Sequence, residues 1–314
     1  MTLERTLLSI VTPCYNEEYN VDELYTRIKA AIAQQTKYEF ELIFIDNHSQ
    51  DGTVTKLKKL AERDPMVKII VNTRNFGHIR SPYYGILQSR GLATIYLASD
   101  LQDPPEMIHD FILHWEEGYK LVMAIKPVSK GFAWTSAIRE AYYRFLDGIS
   151  DISILKDASG FGLYDREILD HLRKIDDPYP YLRGLICELG FEIKTIPFNQ
   201  PRRLRGISKN NLYTLYDIAM LGIVSHSKMP IRIAAFAGFA LGIISLFVAI
   251  VFAVLKLLFW NSFPLGIAPL VIGLFFLFGI QLMFIGILGE YIGSIHAYLQ
   301  RRPVVVEKER INFD

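Results

Sequence analysis

From the amino terminus to about Phe198, short apolar runs alternate with stretches whose apolar residues recur at helical spacing. The runs Leu7–Thr12, Phe40–Ile45, Val67–Val71, Thr94–Ala98 and Lys120–Ile125 read as strands. Most are apolar nearly throughout rather than at alternate positions, the pattern of strands covered on both faces. Between them, Asn20–Gln34, Thr53–Arg63, Arg80–Arg90 and Glu106–Glu117 read as helices. Such alternation predicts an α/β domain with a mostly parallel, Rossmann-like sheet and helices on both faces. Functional loops are then expected at the carboxyl ends of the strands.

Beyond that domain the pattern changes. Asn210–Ser227 carries Leu212, Leu215, Tyr216, Ala219, Met220 and Ile223 at helical spacing and reads as an interfacial helix lying along a bilayer. Ile233–Leu255 gives 23 residues without a charge, and Leu265–Leu288 gives a second span, closed by Glu290. Each is long enough to cross a membrane. Lys228 and Arg232 precede the first span, while Arg301, Arg302, Lys308 and Arg310 follow the second. The connection carries only Lys256, so the positive-inside rule places both termini in the cytoplasm. Glycines such as Gly238, Gly242, Gly279 and Gly286 permit close helix packing and a homo-oligomer. The expected organisation is a catalytic domain over 1–205, a juxtamembrane helix over 206–231, two transmembrane helices over 232–290 and a cytoplasmic tail over 291–314.

Composition adds little to this picture. The net charge of +1 argues neither for nor against a polyanionic partner. Cys14 and Cys187 are too few for a disulfide framework and lack metal-ligand spacing. The apolar run ending at Pro13 is too short for a secretory leader, so the catalytic part is expected in the cytoplasm.

Chemistry gathers at the strand ends. The first strand runs into Thr12-Pro13-Cys14-Tyr15-Asn16-Glu17-Glu18, and the second into Asp46-Asn47-His48-Ser49-Gln50-Asp51-Gly52-Thr53. The fourth breaks into Ser99-Asp100-Leu101-Gln102-Asp103-Pro104-Pro105. Three strand ends thus bring Asp or Glu to one edge of one sheet. Oxygen donors at alternate positions suit a hard divalent ion and, through it, a diphosphate. Read alone, the last segment is also an acidic turn with a helix N-cap at Asp103. Lys126 and Lys130 flank a Pro/Gly loop and could hold phosphate as point charges, although a solvated basic loop fits as well. Gln200–Lys209 is the most basic short run, without the extended face and interleaved aromatics of a nucleic-acid site.

VTPCYNEE, FIDNHSQDGT, NTRNFGH and SDLQDPPE resemble the inverting nucleotide-sugar glycosyltransferases of the A-type (GT-A) fold. RNFG, DLQDPPE and RRLRGISK narrow the likeness to the polyprenyl-phosphate branch, which includes dolichyl-phosphate mannose synthase and the bacterial bactoprenol glucosyltransferases. The resemblance implies that Pro13, Tyr15 and Glu17 surround the nucleoside and that Asp46 contacts the base. It implies Asp100 and Gln102 at a Mg²⁺ or Mn²⁺ site, and Asp157 on the acceptor side of the sugar. Arg203, Gly206, Ser208 and Lys209 match a phosphate-facing R-x-x-G-x-S-K. Three departures stand out: Ala98 replaces the first acidic residue of the metal motif, Asn47 the second of an Asp-Asp pair, and Gly160 and Gly162 replace Asp and Arg.

The expected activity is inverting transfer of a sugar, glucose from UDP-glucose foremost, to undecaprenyl or another polyprenyl phosphate. The expected setting is the bacterial plasma membrane, without nucleic acid. GDP-mannose, UDP-N-acetylglucosamine and UDP-aminoarabinose remain alternative donors. A processive polysaccharide synthase fits poorly, because Gln200–Leu204 lacks the Trp of Q-x-x-R-W. A membrane adaptor with a degenerate transferase domain draws on Ala98 and Asn47. A small transporter would need a polar route that two apolar helices do not offer.

Overall fold

The computed structural model describes residues 5–126, 158–201, 229–259 and 267–313. Within them the strands are β1 (Thr6–Cys14), β2 (Tyr38–Asp46), β3 (Val67–Asn72), β4 (Ala93–Tyr96), β5 (Leu121–Ile125), β6 (Ala158–Asp165), β7 (Ile193–Pro197) and β8 (Glu307–Ile311). The helices are α1 (Val21–Ile32), α2 (Thr53–Arg63), α3 (Gly77–Leu87), α4 (Ile108–Glu116), α5 (Arg166–Leu172), α6 (Leu182–Glu188), α7 (Met229–Leu258) and α8 (Ile267–Leu299). All strands join one sheet in the order β7-β5-β6-β4-β1-β2-β3-β8. The five strands and four helices read from the sequence are all present, their ends displaced by a few residues.

The parallel block β4-β1-β2-β3 forms as expected. Its residues alternate between two cores, which explains their unbroken hydrophobicity. Leu8, Ile10, Leu42, Phe44 and Ile69 face one core, which α1, α2 and α4 cover. Val11, Ile43, Ile45 and Ile70 face the other, covered by α3, α5 and α6. At the opposite end from the site, Glu41 is almost wholly buried. It accepts hydrogen bonds from the Ser9 hydroxyl (2.5 Å), the Arg90 amide (2.6 Å) and Lys68 (2.6 Å).

Beyond the parallel block the sheet is mixed. β6 lies antiparallel between β4 and β5, so β5 is not the neighbour of β4 that a simple βαβ succession would give. β6 is locked there by close contact. A side chain at Gly162 would place its Cβ 2.3 Å from the Val122 carbonyl oxygen. A side chain at residue 162 would require the backbone of β5 or β6 to shift. Gly160, at φ +92°, takes a backbone conformation that strains other residues.

The two long helices extend away from this sheet. At 1.5 Å per residue α7 spans about 45 Å and α8 about 50 Å. Large apolar side chains such as Phe236, Phe239, Leu277, Leu282 and Ile292 stand exposed along them. Among the described residues one stretch, Phe276–Leu299, is long and apolar enough to cross a membrane, and a shorter apolar stretch covers Met229–Ile244. α8 continues past Glu290, where the sequence pattern suggests an end, to Leu299. Among the described residues, a Cβ added at Gly238, Gly242, Gly279 or Gly286 would meet nothing within 4 Å, so these glycines do not pack α7 against α8 within one chain.

The chain then returns to the domain it left. Beyond α8, β8 pairs antiparallel with β3 at the sheet edge. Thr73 donates its amide to the Val306 carbonyl (3.0 Å), and Lys58 bonds Glu309 (2.7 Å). Asn312 donates to the carbonyls of Ala61 (3.0 Å) and Val67 (2.9 Å), and Phe313 is buried. The segment expected as a cytoplasmic tail contributes β8 to the sheet.

Candidate active site

The loops after β1, β2 and β4 meet at the carboxyl edge of the sheet, and each turns through a residue of positive φ: Asn16 (+57°), His48 (+66°) and Leu101 (+60°). Asparagine tolerates this region, whereas a leucine there carries strain of about 1–3 kcal/mol. The loops are tied together. Asn16 donates its amide to the Ser49 hydroxyl (2.8 Å) and accepts from the Gln50 amide (2.8 Å). Glu17 donates its amide to Thr53 (2.9 Å), and the Ser99 hydroxyl reaches the Pro13 carbonyl (2.7 Å).

Between these loops and α3 opens a cleft of about 330 Å³. Pro13, Tyr15, Glu17, Asn47 and Asp100 line it. So do Gly77, His78 and Ser81, from the start of α3. A helix amino terminus carries a partial positive charge that favours an anionic diphosphate, although here Asn47 and Asn75 already accept the Phe76 (2.8 Å) and Gly77 (2.8 Å) amides. A smaller cavity of about 150 Å³ shares His78, Pro82 and Tyr96 with the cleft and adds Tyr181 and Arg183. The α3 turn was legible only as part of NTRNFGH, and Tyr96, Tyr181 and Arg183 carried no signal in the sequence.

The sequence-predicted residues take different positions. Asp46 is fully buried beside the cleft rather than in its lining, and accepts from the Ser49 amide (2.9 Å) and hydroxyl (2.5 Å). Burial raises its pKa, and the Ser49 hydrogen bonds offset only part of that effect. Asn47 fills all its valences within the protein. It donates to the Asn75 side-chain oxygen (2.9 Å) and the Gly77 carbonyl (3.1 Å). It accepts from the Phe76 amide (2.8 Å) and the Asn72 amide group (3.2 Å). The buried Glu17 carboxylate accepts from Asn20 (2.5 Å). Gln102 donates to the Pro201 carbonyl (3.3 Å), which places the base of the arginine-rich run beside the Asp100 loop.

Asp103 does not cap a helix. Its carboxylate crosses the loop to accept the Ala98 amide (3.0 Å). Burial, reinforced by Asp100, pushes its pKa up to about 6 despite that hydrogen bond and the nearby Lys126. Cys14 is buried, and burial with the neighbouring Asp46 raises its thiol pKa, so it is not nucleophilic. Asp157, Lys130, Arg203, Ser208 and Lys209 lie outside the described residues.

Among the described residues no group of three His, Cys, Asp or Glu is placed to hold a metal ion. The donor set still fits one kind of ion. Asp100 faces the cleft and accepts the Gln102 amide through one oxygen (3.1 Å). Ala98 at the neighbouring position supplies no ligand. One carboxylate on an ion otherwise bound by substrate phosphates is a usual magnesium arrangement.

The model of the family described as "Glycosyl transferase family 2" matches residues 9–173, more than half of the chain. The chain belongs to this family. It is a glycosyltransferase, and its α/β domain, which an apolar carboxyl-terminal helix follows, is of the GT-A kind. An uncharacterized glycosyltransferase of Bacillus subtilis, YkcC, is 35% identical over 95% of this chain and 92% of its own length. The SfII prophage-derived bactoprenol glucosyl transferase of Shigella flexneri is 30% identical over 96% of this chain and 97% of its own. Among solved structures, the mannosyltransferase PcManGT of Pyrobaculum calidifontis, in complex with GDP-Man and Mn²⁺, is 15% identical with a TM-score of 0.47, covering 96% of this chain and 89% of its own.

Proposed function

We propose that this glycosyltransferase transfers a sugar, glucose from UDP-glucose foremost, to the phosphate of undecaprenyl or a related polyprenyl lipid at the bacterial plasma membrane. The observation that carries this reading is the cleft that Asp100 and the start of α3 line together. Near-full-length similarity to bactoprenol glucosyl transferases supports the lipid acceptor and glucose.

The nucleoside would lie against Pro13, Tyr15 and Glu17, with Asp46 holding the β2 loop in shape. The diphosphate would then lie between Asp100 and the first turn of α3, whose partial positive charge opposes the charge developing on the leaving group. Mg²⁺ or Mn²⁺, held by Asp100 with Gln102 close by, would supply further neutralisation of that diphosphate. Because a phosphate monoester has a second pKa of about 6, the acceptor is already largely ionised at neutral pH. It needs no strong general base, so Asp157 is assigned to orienting the reacting groups. In-line attack by the acceptor oxygen on the anomeric carbon then inverts its configuration. Lys126, Lys130, Arg203, Ser208 and Lys209 are assigned to the phosphates, and Lys126 already acts electrostatically on Asp103 in this fold.

The anchor follows the same logic. The chain leaves the sheet after β7 and re-enters it as β8, which supports both ends of the α7–α8 excursion lying on the catalytic side of the membrane. Two spans and a cytoplasmic domain satisfy that constraint and the distribution of cations.

The test is incubation of membranes with a panel of nucleotide sugars and undecaprenyl phosphate, followed by lipid mass analysis. Undecaprenyl-phosphate glucose with release of UDP is the expected product. No transfer from any donor would favour the adaptor reading. Asp100→Asn should lower turnover by about 100-fold or more, with the folded domain retained; full activity would remove Asp100 from the site.

A further inference from the structure

A second pocket, away from the donor cleft, lies where α8 meets the catalytic domain. It measures about 300 Å³ and is lined by Arg74, Phe76 and Arg80 from the start of α3, by Pro178, and by Gln300 and Arg302 from beyond the end of α8. Three arginines, and no Asp or Glu, are among the described residues that line it. Arg74 stacks on the Phe76 ring (4.1 Å) and donates only to the Asn75 carbonyl (3.2 Å). Arg80 lies over the Tyr179 ring (4.6 Å), and its buried Nε has no hydrogen-bond partner. Elsewhere in the domain, arginines such as Arg27, Arg173 and Arg310 bond to carboxylates. Arg74 and Arg302 are exposed and Arg80 is partly buried, so water screens their mutual repulsion, and an anion joining all three would gain charge-assisted hydrogen bonds.

We propose that this pocket binds the phosphate group of an anionic membrane phospholipid and so fixes the catalytic domain against the foot of α8. The site lies directly below an apolar helix, where headgroup phosphates stand at a bilayer surface. Stacked, forked guanidinium groups suit a phosphate better than lysines would. The inference rests on the membrane placement of α8 but not on the identity of the sugar or acceptor.

The test uses the full chain in nanodiscs of phosphatidylcholine with or without phosphatidylglycerol, with retained lipid counted by native mass spectrometry after extraction. Wild type should retain phosphatidylglycerol selectively. The variant carrying Arg74→Gln, Arg80→Gln and Arg302→Gln should bind it about tenfold or more weakly, as expected for losing charge-assisted hydrogen bonds. Should that variant fail to fold, Arg302→Gln alone, at an exposed side chain, is expected to reduce retention. Equal retention by wild type and variants would overturn the proposal. So would saturation of the pocket by millimolar inorganic phosphate with no phospholipid retained. Failure of wild type to enter nanodiscs would instead sink the membrane reading of α8.

Discussion

Asn47 donates to two acceptors and accepts from two donors, and in doing so joins the ends of β2 and β3 to the start of α3. An aspartate could not donate, which gives a physical reason for the amide at a position where the family resemblance leads one to expect a carboxylate. Asn47→Asp would face the Asn75 and Gly77 oxygens with a third acceptor, at about 1–3 kcal/mol for each stranded group. The melting midpoint should fall by several degrees, at about 2–4 °C per kcal/mol; an unchanged midpoint would refute this role. Glu41 gives a pH-dependent counterpart. Burial alone would raise its pKa, but hydrogen bonds from Lys68, Ser9 and Arg90 outweigh burial and lower it from the ordinary 4.5. A depressed carboxylate stabilises the fold above its unfolded value and loses that contribution as pH falls through its folded value. Denaturant unfolding should therefore show Glu41→Gln less stable than wild type at pH 7. The gap should narrow as pH drops below 4.5, the ordinary value.

At the scale of elements, β6 joins the parallel block to β5. It lies antiparallel to both β4 and β5, and at Gly162 its backbone approaches Val122 and Met123 more closely than a side chain permits. Gly162→Ala should destabilise the domain by about 1–3 kcal/mol through overpacking, read as a lower unfolding midpoint. A midpoint within error of wild type would mean that β5 and β6 separate freely. The same close contact favours glycine at this position. α3 shows the complementary case, in which one helix lines the cleft with Gly77, His78 and Ser81 and the arginine pocket with Arg80.

For the whole molecule, closure by β8 matters most. Without it β3 would be an unpaired edge, open to association with other chains. Phe313 fastens the strand, packed beside Lys68 (5.4 Å) and Arg310 (4.6 Å), while its carbonyl accepts from Arg90 (2.8 Å). Phe313→Ala should cost about 3 kcal/mol, and the midpoint of the catalytic domain should fall by roughly 6–12 °C. If only the membrane helices responded, β8 would not be part of the domain's cooperative unit. The prediction also bears on topology, because a strand that stabilises the catalytic sheet must lie on its side of any bilayer.

The parallel core was legible in the sequence because burial on two faces forces runs such as Ile43-Phe44-Ile45, and tertiary packing reinforces that local pattern. The cleft's position followed from the same source, since strand ends carrying Glu17, Asp46 and Asp100 share one edge wherever such strands lie parallel. Pairings between distant segments were not legible. β6 pairs with β4 and β5 across long sequence separations, and Glu307–Ile311 is a charged run whose strand character comes from the edge it meets. Likewise only the folded chain could show that Asn47 is saturated by its neighbours, that Asp46 faces a serine turn, and that Arg74, Arg80 and Arg302 line one pocket. Hydrophobic periodicity is a local property, readable along a chain; hydrogen-bond saturation, steric exclusion and the meeting of like charges depend on which distant residues become neighbours.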